Sequence, residues 1–222
     1  IQLGEDPKKV FCVGALAMDN IYGLKLYSKD TLLKKYKIKT NKKLALVTFH
    51  PVTKNNLNYN NQIKQFLNAL RSVNDFYYIF TYNNSDTLGK NYIKNLNNFV
   101  KNNKDSKLFT TMGTKVYLSF VKNSDVMVGN SSSGIYEGPA LKTITLNVGN
   151  RQEGRIFGDS IINSKNETKE IVKKLKNIYN EKYKVKFKNI YYKKNIAKLI
   201  STKIVKLLKK KNDKKKFYDI KF

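Results

Sequence analysis

The residues best suited to chemistry gather in a few short polar turns. The most distinctive is Gly129-Asn130-Ser131-Ser132-Ser133-Gly134, set between a β-branched run and an amphipathic one. Glycines let a backbone turn sharply and approach a ligand, while serine hydroxyls and the N–H groups of a helix start supply outward donors. Together they suit a phosphate or pyrophosphate. Ordinary N-capping accounts for serines at a helix start as well, so Ser131 and Ser132 are read as anion donors against that competing account. Glu137, five residues after Ser132, can accept hydrogen bonds from ribose hydroxyls, or simply complement a helix dipole. His50 closes the run Thr48-Phe49-His50-Pro51, where Pro51 holds the preceding residue extended. An imidazole there can donate to a phosphate or move a proton near neutral pH. Asn84, in Asn83-Asn84-Ser85-Asp86, and Arg151, in Gly149-Asn150-Arg151-Gln152-Glu153-Gly154-Arg155, follow two further runs and can line the same crevice. Beyond Glu137 no second carboxylate is placed for acid/base work, and no Ser-His-Asp order stands in a recognisable context. The pattern binds an anion but does not complete a reaction.

Something must hold these turns in one place, and the alternation of elements supplies it. Short apolar runs at 10–14, 44–49, 77–81, 107–110, 126–129 and 143–148 read as strands. Helical stretches fill 29–37, 60–73, 89–103, 114–122 and 134–141. This is a βαβ series, and continuous runs such as Leu44-Ala45-Leu46-Val47 fit a parallel sheet covered on both faces. Two amphipathic helices follow. One carries Ile171, Val172, Leu175, Ile178 and Tyr179 behind an expected Asn166 N-cap; the other carries Ile196, Leu199, Ile200, Ile204, Leu207 and Leu208. The expected fold class is α/β, one doubly wound parallel-sheet domain over residues 1–211 with a frayed basic tail at 212–222. In such sheets ligands bind beyond the carboxyl ends of the strands, and every polar turn named above falls there.

Composition narrows the function classes. The 222 residues carry 44 basic and 16 acidic side chains, a net charge of +28 that invites a nucleic-acid reading. Only Arg71, Arg151 and Arg155 are arginine, however, and a selected phosphate surface would be richer in that bidentate fork. Lys, Asn, Ile and Tyr rise together along the chain, which is compositional drift rather than a site, so neither nucleic acid nor a membrane surface is expected as a partner. No apolar run reaches the ~18 residues of a bilayer span. The start, Ile1-Gln2-Leu3-Gly4, carries no signal region and reads as internal to a longer chain; a cytoplasmic location is expected. One cysteine, Cys12, and one histidine exclude an internal disulfide framework and a His- or Cys-rich metal site, and no cofactor is expected.

These turns, in this order, resemble the C-terminal domain of the hydrolysing UDP-N-acetylglucosamine 2-epimerases of the sialic- and legionaminic-acid pathways. The likeness rests on Ile1-Gln2-Leu3-Gly4-Glu5, Val13-Gly14-Ala15-Leu16 with Asp19-Asn20-Ile21, and Val47-Thr48-Phe49-His50-Pro51-Val52-Thr53. It continues through Phe80-Thr81 with Asn84-Ser85-Asp86, the serine turn with Glu137, and the arginine loop. The Gly-rich segment that the family carries before its last helix is replaced here by Asn189-Ile190-Tyr191-Tyr192-Lys193-Lys194. The resemblance implies the Rossmann-like C-terminal half of a GT-B fold, with substrate held between two halves. By position it implies that Ser131, Ser132 and His50 contact the diphosphate, that Glu137 holds the ribose, and that Asn84 and Arg151 line the uridine-diphosphate site. It implies a UDP-sugar substrate, either UDP-GlcNAc or a diacetamido-trideoxy relative, and elimination of UDP followed by hydration to N-acetylmannosamine. It further implies acid/base carboxylates in an N-terminal half that is absent here, and it leaves room for a homo-oligomer. The donor domain of a GT-B glycosyltransferase shares the same nucleotide logic and stays open, as does, more distantly, a basic nucleic-acid-binding module.

Overall fold

A computed structural model describes residues 1–50, 52, 59–82, 89–209 and 216–220 of the chain. The chain divides into two compact units, residues 24–190 and residues 1–23 with 191–222.

The larger unit runs α2 (Lys29–Lys35), β1 (Lys43–Thr48), α3 (Tyr59–Arg71), β2 (Phe76–Thr81), α4 (Gly89–Lys101), β3 (Ser106–Phe109), α5 (Gly113–Asn123), β4 (Val126–Gly129), α6 (Ser133–Ala140), β5 (Ile144–Val148), β6 (Ile161–Ser164) and α7 (Thr168–Tyr179). Its six strands form one sheet in the order β3-β2-β1-β4-β5-β6, every pairing parallel. The chain winds outward from β1 to one edge, then returns to start β4 on the other side of β1. The carboxyl ends of β1 and β4, paired from Ala45↔Val126 to Thr48↔Gly129, therefore flank the switch point where loops diverge and leave a crevice.

Strand alternation sorts the core into two layers. Ala45, Val47, Phe49, Tyr78, Phe80, Val128 and Val148 face one side, packing with Ile63, Phe66, Leu67 and Leu70 of α3 and Ile171, Leu175 and Ile178 of α7. Leu44, Leu46, Ile79 and Met127 face the other, against Leu32, Phe120 and Val121. Phe49 stacks on Phe66 with centroids 4.4 Å apart, which anchors α3 beside the end of β1. Burying each such side chain stabilises the fold by about 1.5–3 kcal/mol.

In the smaller unit a 3-10 turn (Pro7–Lys9) precedes α1 (Ala17–Gly23), and α8 (Ile196–Leu208) follows later in the chain. The Asp19 carboxylate accepts the N–H groups of Ile196 and Ala197 at 3.3 and 2.7 Å, an anion on the positive end of α8. Tyr218 in the tail donates its N–H to the Gly4 carbonyl at 2.9 Å.

Several expectations from the sequence change. The run 10–14 is not a strand: it lies in the smaller unit, where Gly14 takes φ +87° and the Ala15 N–H bonds to the Tyr191 carbonyl at 2.9 Å. The sixth strand is instead Ile161–Ser164, a four-residue edge strand paired only with β5. The N-cap of α7 is Glu167 rather than Asn166, whose Nδ2 donates to the Gln62 carbonyl at 3.0 Å. Of the apolar stripe on α8, only Ile196 is buried; Leu199, Ile204, Leu207 and Leu208 are exposed.

Candidate functional site

The strand β4 ends in Gly129, at φ +134°, where a Cβ would lie 2.0 Å from the Thr48 carbonyl oxygen. Only glycine lets the two strand ends approach so closely. The next residue locks them together. Asn130 is 1% exposed. Its Oδ1 accepts the His50 N–H at 2.7 Å and its Nδ2 donates to the His50 carbonyl at 2.8 Å, a two-bond clasp across the switch point. The Asn130 carbonyl in turn accepts Arg151 Nη1 at 3.1 Å and Gln152 Nε2 at 2.6 Å. One asparagine thus joins the turn after β1, the serine turn after β4 and the arginine loop after β5.

Ser132 is the N-cap of α6, yet its backbone is helical (φ −62°, ψ −21°) and its hydroxyl caps no N–H. That hydroxyl is not consumed by capping. Ser131 does cap: its Oγ accepts the Ser133 N–H at 3.3 Å, which leaves its own proton to donate outward. The N–H groups of Gly134, Ile135 and Tyr136 bond to the carbonyls of Ser131 and Ser132 at 2.9–3.2 Å. The helix start therefore offers an anion chiefly hydroxyls and a dipole, rather than the ring of open backbone donors that the sequence suggests. Gly134 packs on β5, where a Cβ would meet Thr145 Cγ2 at 2.4 Å, and Thr145 Oγ1 donates to the Gly134 carbonyl at 2.9 Å. Arg155 sets its guanidinium 5.7 Å from the centre of the Tyr136 ring, so both arginines of the loop reach the serine turn or its helix.

Beneath the turn lies a buried polar relay. Tyr117 of α5 donates to Ser133 Oγ at 2.6 Å, and Ser133 also bonds the Glu137 carboxylate one helical turn on. Burial pushes the Tyr117 phenol up to about 12, against the opposing pull of its bond to Ser133. Burial likewise raises the Glu137 carboxyl above its ordinary value, and the Ser133 bond only partly offsets it. Glu137 Oε2 is buried with no hydrogen-bond partner among the described residues. Thr48 and Thr81 hydroxyls, 2.7 Å apart, close the relay on the β1 side.

On the opposite face of the sheet the same strand ends border a crevice of about 560 Å³ between α3 and α7. Phe49 and Val148 form its floor, and Asn130, Asn150, Asn163 and Asn166 line it.

The structure thus gathers His50, Ser131, Ser132, Glu137 and Arg151 at the carboxyl ends of β1, β4 and β5, while Asn84 lies outside the described residues. Sequence reasoning gave no role to Asn130, Gln152 or Tyr117. In so asparagine-rich a chain a single Asn carries little signal, and nothing local marks Tyr117 as a partner of a serine sixteen residues away. Among the described residues no group of His, Cys, Asp and Glu could hold a metal ion, and no helix is long and apolar enough to cross a membrane.

The Campylobacter jejuni GDP/UDP-N,N'-diacetylbacillosamine 2-epimerase (hydrolyzing) is 41% identical over 165 residues, covering 74% of this chain and 43% of that protein. The Escherichia coli polysialic acid biosynthesis protein P7 is 37% identical over 228 residues, covering 99% of this chain and 57% of that one. The chain therefore spans about half the length of these curated relatives. The S. aureus MnaA–UDP co-structure shares the fold at a TM-score of 0.71 and 16% identity, over 92% of this chain and 55% of that chain. The α/β class and the Rossmann-like half of a GT-B architecture are as the sequence implied. The family model of the UDP-N-acetylglucosamine 2-epimerases matches residues 1–208, and the chain belongs to that family.

Proposed function

We propose that this chain is the UDP-sugar-binding half of a hydrolysing UDP-N-acetylglucosamine 2-epimerase, working in the cytoplasm on amino sugars of the sialic-acid type. The observation that carries the reading is the Asn130 clasp, which draws the hydroxyls of the serine turn, the His50 loop and Arg151 around one crevice mouth. The reaction eliminates UDP from UDP-GlcNAc or a related sugar and hydrates the resulting glycal. The carbon–oxygen bond at the anomeric centre breaks, so negative charge accumulates on the departing diphosphate. Groups that hold this charge more strongly in the transition state than in the bound substrate lower the barrier. Ser131 and Ser132 donate hydroxyl protons to the diphosphate, Arg151 supplies a fixed cation, and His50 a further donor. Glu137 receives the ribose hydroxyls, which also relieves the cost of keeping its carboxylate charged in a buried place. Asn84 completes the uridine-diphosphate site. The carboxylates that take and return the C2 proton come from an N-terminal half, and the assembled enzyme needs no cofactor. A homo-oligomer of the whole protein is part of the same proposal.

Calorimetric titration of UDP into the chain tests the reading. Binding is expected, with affinity reduced about tenfold or more in Ser132→Ala and in Arg151→Ala, since hydrogen bonds to charged groups contribute about 1.5–3 kcal/mol. Lys101→Ala, at the far end of the sheet, serves as the unchanged control. Absence of UDP binding, both in this chain and in one joined to an N-terminal half, would overturn it. Release of free N-acetylmannosamine by the joined protein separates the epimerase from a glycosyltransferase donor domain.

A further inference from the structure

Tyr117 belongs to α5 and to none of the turns that meet at the strand ends, yet its hydroxyl reaches them. It donates to Ser133 Oγ at 2.6 Å, and Ser133 bonds the Glu137 carboxylate one turn farther along α6. From the other side the Thr48 hydroxyl, at the end of β1, bonds Tyr117, and Thr48 lies 2.7 Å from the hydroxyl of Thr81 at the end of β2. A row of hydroxyls thus runs from two strand ends, through one helix, to a carboxylate on another.

The carboxylate dictates the direction of every bond in that row. A carboxylate only accepts, so Ser133 donates its proton to Glu137; it therefore accepts from Tyr117, which in turn accepts from Thr48. Each hydroxyl gives one proton and takes one, and each bond polarises the next. Burial supports the order, since a phenol pushed up to about 12 keeps its proton across the ordinary pH range. A serine hydroxyl alone is a free rotor that can turn its proton to any nearby acceptor. With Tyr117 on its oxygen, the Ser133 proton is left to the carboxylate. Glu137 needs that hold, because the donors on its carboxylate are Ser133 and its own N–H. Its Oε2 is sealed from water with no partner among the described residues. The terminal torsion of a glutamate is soft, and so few donors leave it loosely set. The relay fixes the carboxylate with Oε2 inward, which leaves the other oxygen to meet a ligand.

Resting on the UDP-sugar reading above, we propose that Tyr117 is a positioning residue: acting through Ser133, it aims the Glu137 carboxylate at the ribose hydroxyls and so sets the preference for a nucleotide that carries them. Tyr117→Phe removes the hydroxyl and keeps the ring against the core layer that holds Phe120 and Val121. Calorimetry on the full chain compares UDP with 2′,3′-dideoxy-UDP, which lacks both ribose hydroxyls. The parent should bind UDP about tenfold or more tightly than the dideoxy compound, since hydrogen bonds to a charged group are the strong ones. Tyr117→Phe should reduce that ratio to about threefold or less, by weakening UDP alone, because the two compounds share their uracil and diphosphate. Ser133→Ala breaks the same row one bond later and should do the same, so it carries the test should the tyrosine variant fold poorly. Residues that act in series do not add, so the double variant should lose no more than either single one. A parent-sized ratio in either variant, a loss shared equally by both compounds, or losses that add in the double variant each overturn the positioning role while leaving the UDP site intact. A parent that binds UDP without preferring it to the dideoxy compound overturns the seating of ribose on Glu137, and this proposal with it. Failure to bind UDP at all overturns the UDP-sugar reading itself.

Discussion

Asn130→Ala is the substitution that most directly tests how the site is assembled. It deletes the two bonds, 2.7 and 2.8 Å, that clasp the His50 backbone, and alanine leaves a space too apolar to replace them. A buried backbone donor or acceptor left without a partner costs about 1–3 kcal/mol. The His50 groups are only partly buried, so the lower half of that range applies to each, and the loss is about 2–4 kcal/mol. That is a large share of the ~5–15 kcal/mol that holds a domain folded. At roughly 2–4 °C per kcal/mol for a chain of this size, a loss near 3 kcal/mol lowers the melting temperature by about 6–12 °C. The carbonyl of residue 130 survives the change, so its bonds from Arg151 and Gln152 persist, and the effect isolates the clasp. Asn130→Asp sharpens the result. The remaining oxygen still accepts the His50 N–H, but the other now faces the His50 carbonyl, oxygen against oxygen. Its stability should be poor at neutral pH and partly recover in acid, where a protonated carboxyl donates as the amide did. Circular-dichroism melts at several pH values read both. A melting temperature for Asn130→Ala within about 2 °C of the parent, or an Asp variant as stable as the parent at neutral pH, refutes the clasp.

Glu137→Gln tests the buried carboxylate through pH. The folded state holds the Glu137 proton more tightly than the unfolded chain, because burial raises its pKa. Its contribution to stability is therefore fully present below the ordinary glutamate value and is lost as pH rises through the folded pKa. Urea midpoints measured between about pH 4 and pH 8 should show that decline in the parent and not in the variant. The variant should equal or exceed the parent in stability at neutral pH while binding UDP more weakly; identical pH profiles contradict the assignment. Gly129→Ala, which drives a Cβ to 2.0 Å from the Thr48 carbonyl, should cost more than about 4 kcal/mol and yield little soluble protein. Gly154→Ala, at φ +80° with nothing within 4 Å, should cost only about 1–2 kcal/mol. Comparable urea midpoints for the two variants would show that strand approach at Gly129 is not the constraint.

The sheet was legible where its strands are buried on both faces. Leu44-Ala45-Leu46-Val47 and Phe76-Tyr77-Tyr78-Ile79-Phe80 can be little else, and they became β1 and β2. The edges were less so. β6 pairs on one side only, and its sequence, Ile161-Ile162-Asn163-Ser164, ends in two polar residues, so burial leaves a weaker imprint than in the centre. The run Phe11-Cys12-Val13 misled for the reverse reason. Its residues have strand character, but the chain there meets residue 191 rather than a sheet edge. Propensity describes what a segment tolerates, and its neighbours decide what it becomes.

The site divides along the same line. Residues whose chemistry is unusual for their surroundings announced themselves: three serines between glycines, and two of only three arginines set close together in one loop of a lysine-rich chain. Asn130 did not, because its importance lies in being buried and doubly bonded, and burial of a polar side chain is a property of the fold. The same holds for Asn166, misread as a helix cap although the spacing allowed it, because its Nδ2 is held by α3 a hundred residues earlier in the chain. Serines and arginines can reach a ligand, but loops as polar as these would otherwise sample many arrangements. It is the buried amides of Asn130 and Gln152, each satisfying backbone groups at a different strand end, that convert three separate turns into one surface. Substitutions at such amides should therefore disturb affinity and stability together, whereas substitutions at Ser132 or Arg151 should disturb affinity alone.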